Sequence, residues 1–223
     1  MTNAINTREL ALDMLLAIDR DGQYSHLVLR DVLDKYQYLS KQDRAFLTRL
    51  TEGTIERMLT LDYVINQFSK TKVKKMKPLI RELMRLSVYQ IMYMDGVPDS
   101  AVCNEAVKLA RKRGFSGLSG FVNGVLRSVT REIGFPDDSV KYSVPKWIID
   151  SWTADYGNEK TKEMLEAFST PARITIRTNP KKCTPEELQK RLEEEGVKAE
   201  RIEQIPYAFV ISEFDHLTGL SSF

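Results

Sequence analysis

The sequence predicts a mainly α protein that ends in a small α+β unit of β-α-β-β order. Three observations carry this. Apolar residues recur at helical spacing from Asn6 to about Arg131, no alternating pattern occurs before about residue 170, and alternating segments then flank one strongly capped helix.

Asn6 with Glu9 three residues later has the form of a capping box, and Ala11, Met14, Leu15 and Ile18 follow on one face until Gly22. Ser25 is positioned to cap a second helix with the stripe Leu29, Val32, Leu33 and Tyr36. Ser40 with Asp43 caps a third carrying Phe46, Leu47, Leu50 and Thr54. The apolar spacing continues through Ile55 to Phe68 with a break expected near Thr60, and lapses in the lysine-rich segment Lys70 to Lys77. Pro78 suits the first turn of the next helix, whose stripe is Leu79, Leu83, Leu86, Gln90 and Ile91. Val97 and Pro98 form a turn, a helix starts near Ser100 with Val102, Ala106 and Leu109 inward, and Phe121, Val122, Val125, Leu126 and Val129 form a last one.

Ile133 to Val144, with Gly134, Pro136, two aspartates and two serines, has the composition of a linker, which sets an expected boundary near residue 138. Beyond it, Pro145 opens a helix ending at Gly157 and Asn158 caps another through Phe168. Arg173 to Arg177 alternate as a strand, Thr184, Pro185 and Glu187 begin a helix that Gly196 closes, and Val197–Ile202 and Tyr207–Ile211 are the remaining strands.

Composition narrows the function. The longest apolar runs, such as Met14 to Ile18, are too short to cross a bilayer, and no secretory signal pattern opens the chain, so the expected location is the cytoplasm. Cys103 and Cys183 are distant from each other, and His26 and His216 stand alone, which leaves no zinc or iron–sulfur ligand set and no expected metal. The net charge of +2 conceals a segregation: residues 70–131 hold 13 basic and 4 acidic residues, whereas residues 1–69 hold 8 and 10. Such clustering is the electrostatic footprint of a phosphate-facing surface, although a solvated face produces the same count. The candidate RNA-contacting residues are Lys70, Lys72, Lys74, Lys75 and Lys77, together with Lys108, Arg111, Lys112, Arg113 and Arg127.

Other candidates have weaker claims. Gly114, Gly117, Gly120 and Gly124 lack the preceding strand of a dinucleotide loop, and Gly120 with Gly124 is read instead as a close approach of two helices. Cys103 is expected to be a buried small hydrophobe; Cys183 stands at a helix start without a histidine near it in sequence. Trp147, Trp152 and Tyr156 suit either base stacking or a packed helix face, of which packing is favoured. Asp137 and Asp138 are turn formers. No set of residues is expected to be catalytic.

Several segments carry a family resemblance: Gln42, Asp43 and Arg44 with Gly53 and Arg57; Leu86, Tyr89 and Gln90; Asn104 to Val107; and Phe121, Val122, Asn123, Val125, Leu126 and Arg127. Pro145, Trp147, Trp152, Tyr156 and Gly157 follow, then Arg177, Thr178 and Asn179. Residues 1–131 resemble the NusB-type all-α RNA-binding domain, and the whole chain resembles the N-terminal half of the bacterial Sun/Fmu (RsmB) family of 16S rRNA cytosine-C5 methyltransferases. The resemblance implies a NusB-like helical domain over residues 1–137. It implies a connector over 138–223, helical to about 169 and then a small RRM-like β-α-β-β unit. It also implies that a Rossmann-like domain follows residue 223, binding S-adenosylmethionine and supplying two cysteines for attack on cytosine and removal of its C5 proton. Neither Cys103 nor Cys183 stands in the Pro-Cys or Thr-Cys context of those groups, so no cofactor is expected in this chain. The implied partner is 16S ribosomal RNA, with a protein partner for the NusB-like domain as a further expectation; no membrane is implied. The competing expectation is a stand-alone NusB-like adaptor in antitermination or protein binding.

Overall fold

The computed structural model describes residues 6–170, 172–214 and 219–222 and divides into two compact units, Met1–Lys162 and Glu163–Phe223. The elements of the first are α1 (Thr7–Asp19), α2 (Ser25–Lys35), α3 (Lys41–Glu56), α4 (Met58–Phe68), α5 (Pro78–Tyr93), α6 (Asp99–Lys112), α7 (Ser119–Ser128) and α8 (Asp138–Tyr142). Helix α9 (Lys146–Phe168) contains a non-helical Gly157 at φ 78°, so the two helices expected on either side of that glycine are separated by a kink.

The first unit is organised around α5. Eleven of its sixteen residues are buried, including Glu82, Arg85, Ser87 and Gln90, so it is enclosed on all sides instead of presenting the single stripe expected from its leucines. A helix in that position must neutralise its own polar groups. Ser87 and Gln90 donate to the carbonyls of Leu83 and Leu86 one turn back. Arg85 makes two 2.7 Å hydrogen bonds to Asp62 of α4, a 2.8 Å bond to Glu82 and a 3.3 Å bond to Asp19 of α1. Arg81 bonds Asp19 and reaches Glu82 at 3.1 Å. Burial works against the Arg85 charge, but Asp62, Glu82 and Asp19 outweigh it and raise its pKa; burial, the largest influence on Glu82, raises that carboxyl.

Helix directions follow from these pairs. Asp19 at the end of α1 meets Arg81 and Arg85, and Arg8 at its start meets Gln90 at 2.7 Å, so α1 runs antiparallel to α5. Asn6 reaches Glu105, and Glu9 and Asp13 reach Arg113, so α1 runs parallel to α6. Helices α5 and α6 are therefore antiparallel. Helix α3 approaches α5 at Gly53, where an added Cβ would fall inside the phenol of Tyr89.

Local signals behave unevenly. Asn6 caps α1, but the Glu9 carboxylate crosses to α6 instead of closing the box. Ser40 caps α3 as expected, whereas Ser25 is the first helical residue of α2 and Tyr24 stands at the cap without a side-chain bond. The break expected near Thr60 falls at Arg57; Thr60 lies inside α4, where its buried hydroxyl donates to the Val140 carbonyl. The segment expected to be a linker holds α8, capped by Asp137 and tied to α4 by Ser143 accepting from the Leu59 N–H. The close approach expected at Gly120 and Gly124 does not occur; both are exposed and an added Cβ would meet nothing within 4 Å.

In the second unit, β1 (Thr175–Arg177), β2 (Lys198–Ile202) and β3 (Ile205–Ser212) form an antiparallel sheet in the order β1-β3-β2, with α10 (Pro185–Glu194) between the first two strands in sequence. Thr184 and Glu187 complete a reciprocal capping box, and Gly196 at φ 77° ends the helix. Leu188, Leu192 and Val197 pack with Phe209 and Ile211 as the core. This is the β-α-β-β order that the alternation and capping predict.

Replacing Gly53 by Ala gains up to about 1 kcal/mol of helix propensity and costs roughly 1–3 kcal/mol in overpacking against Tyr89. The expected result is a net loss in denaturant unfolding that shrinks in the Gly53→Ala/Tyr89→Leu pair. Arg85→Met leaves Glu82 poorly compensated, and a loss of about 3–5 kcal/mol is expected in the same measurement.

Candidate nucleic-acid interface

The connection from α4 to α5 is an ordered turn. Val73 and Met76 are buried, a single 3-10 turn spans Val73–Lys75, and the Asn66 side chain accepts from the Val73 N–H at 2.9 Å. Ser69 closes the entry by donating to the Thr71 carbonyl. With those anchors inward, Lys70, Lys72, Lys74, Lys75 and Lys77 are all exposed. Lys72 donates to the Asn66 carbonyl, and none of the five has an ion-pair partner among the described residues. Five cations are thus held on a pinned backbone, which reduces the entropy lost when they meet an anionic chain.

The second group is differently occupied. Antiparallel packing of α5 and α6 brings the C-terminal end of α6 to the same end of the pair as the lysine turn. There Lys112 donates to Glu9 at 2.6 Å, and Arg113 bonds Glu9 and Asp13. Lys108 is paired with Glu105 at 2.7 Å one turn earlier, whereas Arg111 is exposed with only Ser119 at 3.5 Å. Hydrogen bonding from Lys112 is the largest influence on Glu9 and, against the opposing effect of burial, holds its carboxyl below the ordinary value. Arg127 stands apart: it is on α7, bonded to Asn123, and its charge acts on Cys103 in the first turns of α6. From Cys103 to Lys112 is about 13 Å of helix at 1.5 Å per residue.

Of the three aromatics expected to pack, Trp147 and Tyr156 are exposed at 72% and 59%, whereas Trp152 is half-buried. Cys103 is buried and burial raises its pKa. Cys183 is half-buried immediately before the Thr184 cap. His26 stacks near Tyr24, and His216 lies outside the described residues. No group of three or more metal-type ligands is found among the described residues, and no described helix is long and apolar enough to cross a membrane.

Three cations that charge clustering did not single out line a pocket of about 540 Å³ in the second unit: Arg177, Lys182 and Arg191. The available signal was Arg191 beside the inward stripe Leu188 and Leu192.

A helical bundle wrapped around a buried α5, followed by a three-stranded ferredoxin-like unit, defines a two-domain class of NusB-type protein. The NusB family model matches residues 5–131, and the model described as the RsmF/B-like methyltransferase ferredoxin-like domain matches residues 144–216. The chain belongs to the NusB family, in the two-domain arrangement of the N-terminal part of the Sun/Fmu (RsmB) methyltransferases. A probable ribosomal RNA small subunit methyltransferase B of Bacillus subtilis (strain 168) is 36% identical over 206 residues, covering 88% of this chain and 45% of the relative. This chain therefore spans less than half the length of that relative. The transcription antitermination protein NusB of a Nitratiruptor species is 31% identical and aligns over 60% of this chain and 95% of itself. Among solved structures, PH0851 superposes over 99% of the chain and 52% of its own at a TM-score of 0.69 with 19% identity, a likeness of fold.

The lowered Glu9 pKa has a definite sign. A depressed carboxyl stabilises the fold above its unfolded value of about 4.3, and that contribution disappears as pH falls through the folded value. Glu9→Gln is expected to lower stability by up to about 1 kcal/mol at pH 7, a difference that shrinks as pH falls from 4 towards 2, as read by urea midpoints along that series.

Proposed function

We propose that this chain is the RNA-gripping region of an S-adenosylmethionine-dependent ribosomal RNA cytosine-C5 methyltransferase, and that it holds 16S rRNA for a catalytic domain outside these residues. The observation that carries the reading is the pinned turn of five exposed lysines, none with an ion-pair partner among the described residues. Long cations on a rigid turn suit backbone phosphates, which supply affinity and position without reading sequence. Lys108, Lys112, Arg113 and Arg127 form a second tier that reaches RNA by sharing or releasing its present partners. Residues 1–137 do the gripping and residues 138–223 connect to the catalytic part.

The relatives support this assignment. The proteins matching most of the chain bear the name ribosomal RNA small subunit methyltransferase B, whereas the antitermination NusB relatives match only 56–60% of it. A NusB of the same fold, at 20% identity and a TM-score of 0.50, was solved with NusE and double-stranded RNA. A stand-alone adaptor leaves the ferredoxin-like unit without a task. A protein partner of the helical unit is compatible with RNA gripping, and a cytoplasmic site of action follows from the substrate.

S-adenosylmethionine does not fit the residues described. Gly114 ends α6 in a turn at φ 85°, Gly117 lies on a 3-10 turn and Gly120 and Gly124 lie on α7, with no described strand before them, so they form no cofactor loop. The pocket in the second unit is lined by Arg177, Lys182 and Arg191, of the wrong sign for a sulfonium cation. No chemical step is therefore assigned to this chain.

Replacing Lys72, Lys74 and Lys75 together by Gln is expected to weaken binding of a ribosomal RNA stem-loop. It is also expected to flatten the dependence of log affinity on log salt by roughly 2 to 3, at about 0.7–0.9 per lost phosphate contact. An unchanged slope overturns the assignment of the turn.

A further inference from the structure

The second unit holds 8 basic and 11 acidic residues, an excess of acid sufficient to pair every cation. Several pairs do form, with Arg201 on Glu186 at 2.8 Å and Lys198 on Glu200 at 2.9 Å. Arg177, Lys182 and Arg191 do not. They come from β1, from the turn before α10 and from α10 itself, they line one pocket of about 540 Å³, and none has a carboxylate partner among the described residues. No lining residue among the described residues is acidic. All three are exposed, so water screens their mutual repulsion and they stand available to an anion from outside the chain.

The backbone adds donors. Thr178 donates to Tyr207 and Ile174 accepts from Ile211, so residues 174, 176 and 178 face β3 in the alternation of an antiparallel pair. The N–H and C=O groups of Thr175 and Arg177 therefore lie on the open edge of β1, and both residues line the pocket. Ile176 and Leu220, each half-buried, also line it and provide an apolar surface beside the cations.

We propose that this pocket is a second RNA site, in which Arg177, Lys182 and Arg191 take backbone phosphates of a single-stranded segment and the apolar surface of Ile176 and Leu220 takes an adjoining base. The proposal rests on the RNA-binding reading above. It adds that the ferredoxin-like unit holds an unpaired stretch while the lysine turn grips elsewhere. The volume is within the range of about 300–1,000 Å³ occupied by small ligands such as a nucleotide. Unpaired RNA fits because its bases are free to leave the stack, whereas a duplex presents only its grooves and backbone.

Cys183 provides a direct reporter. It lines the pocket and is half-buried, while the other thiol, Cys103, is only 3% exposed. The experiment measures the rate of Cys183 alkylation by iodoacetamide in the 223-residue chain, alone and with a saturating single-stranded RNA of about ten nucleotides. It is repeated with inorganic phosphate, and in the Arg177→Gln/Lys182→Gln/Arg191→Gln and Lys72→Gln/Lys74→Gln/Lys75→Gln variants, each checked for an unchanged thermal midpoint. RNA is expected to slow alkylation several-fold in the parent and in the lysine-turn variant but not in the pocket variant. The pocket variant is also expected to lose roughly 2 from the salt slope of RNA binding, at about 0.7 per contact for a single strand. RNA that binds without protecting Cys183 overturns the pocket and leaves the lysine turn standing. Protection that persists when the turn is neutralised, with no change of affinity, overturns the turn and supports the pocket. Equal protection by inorganic phosphate overturns RNA as the ligand, and absence of RNA binding by the parent overturns both. Where the pocket variant's midpoint falls, the parent's protection by RNA against phosphate decides alone.

Discussion

Burial of a charged helix is the constraint on which the first unit depends. Helix α5 is enclosed on all sides yet carries Arg81, Glu82 and Arg85 in its first two turns. The interior tolerates these charges only because Asp62 and Asp19 are delivered from α4 and α1 with nearly complete hydrogen bonding of the Arg85 guanidinium. That requirement fixes the directions of two helices relative to the third. Leucines alone tolerate many relative placements, whereas a two-pronged bond between a guanidinium and a carboxylate tolerates few.

The position of the lysine turn follows. With α4 and α5 locked through Asp62 and Arg85, their connection has fixed ends, and burial of Val73 and Met76 settles which of its side chains face outward. The cations of the basic block then divide by task. Arg81, Arg85, Lys112 and Arg113 hold helices together, while the lysine turn and Arg111 have no carboxylate partner among the described residues. A count of charge per segment cannot separate the two groups, because both contribute equally to it. The carboxylates that absorb the first group lie on α1 and α4, up to about a hundred positions away in the chain.

Much of the fold was legible in the sequence. Asn6, Ser40 and Thr184 cap helices, Pro78 opens α5, Gly157 and Gly196 interrupt or end helices, and the three strands fall where alternation places them. These are signals within a few residues of the feature they determine. Trp147 and Tyr156 were misplaced for the opposite reason: aromatic spacing describes a helix face but not what covers it. The helix inside the apparent linker was not legible because Gly, Pro, Ser and Asp also build a capped short helix, and α4 supplies the surface on which α8 rests. Gly53 needed Tyr89, and Gly120 and Gly124 needed nothing, a contrast invisible in residue type.

By itself the sequence determined the periodicities, the caps, the order of helices and strands, and the concentration of positive charge in residues 70–131. Each depends on neighbours one to four positions apart, where backbone geometry alone decides which side chains meet. The tertiary structure decided which charges are cancelled, that α5 lies at the centre, and that Arg177, Lys182 and Arg191 open onto one pocket. Coulombic and steric encounters of that kind join residues tens of positions apart, so they exist only once the chain has closed on itself.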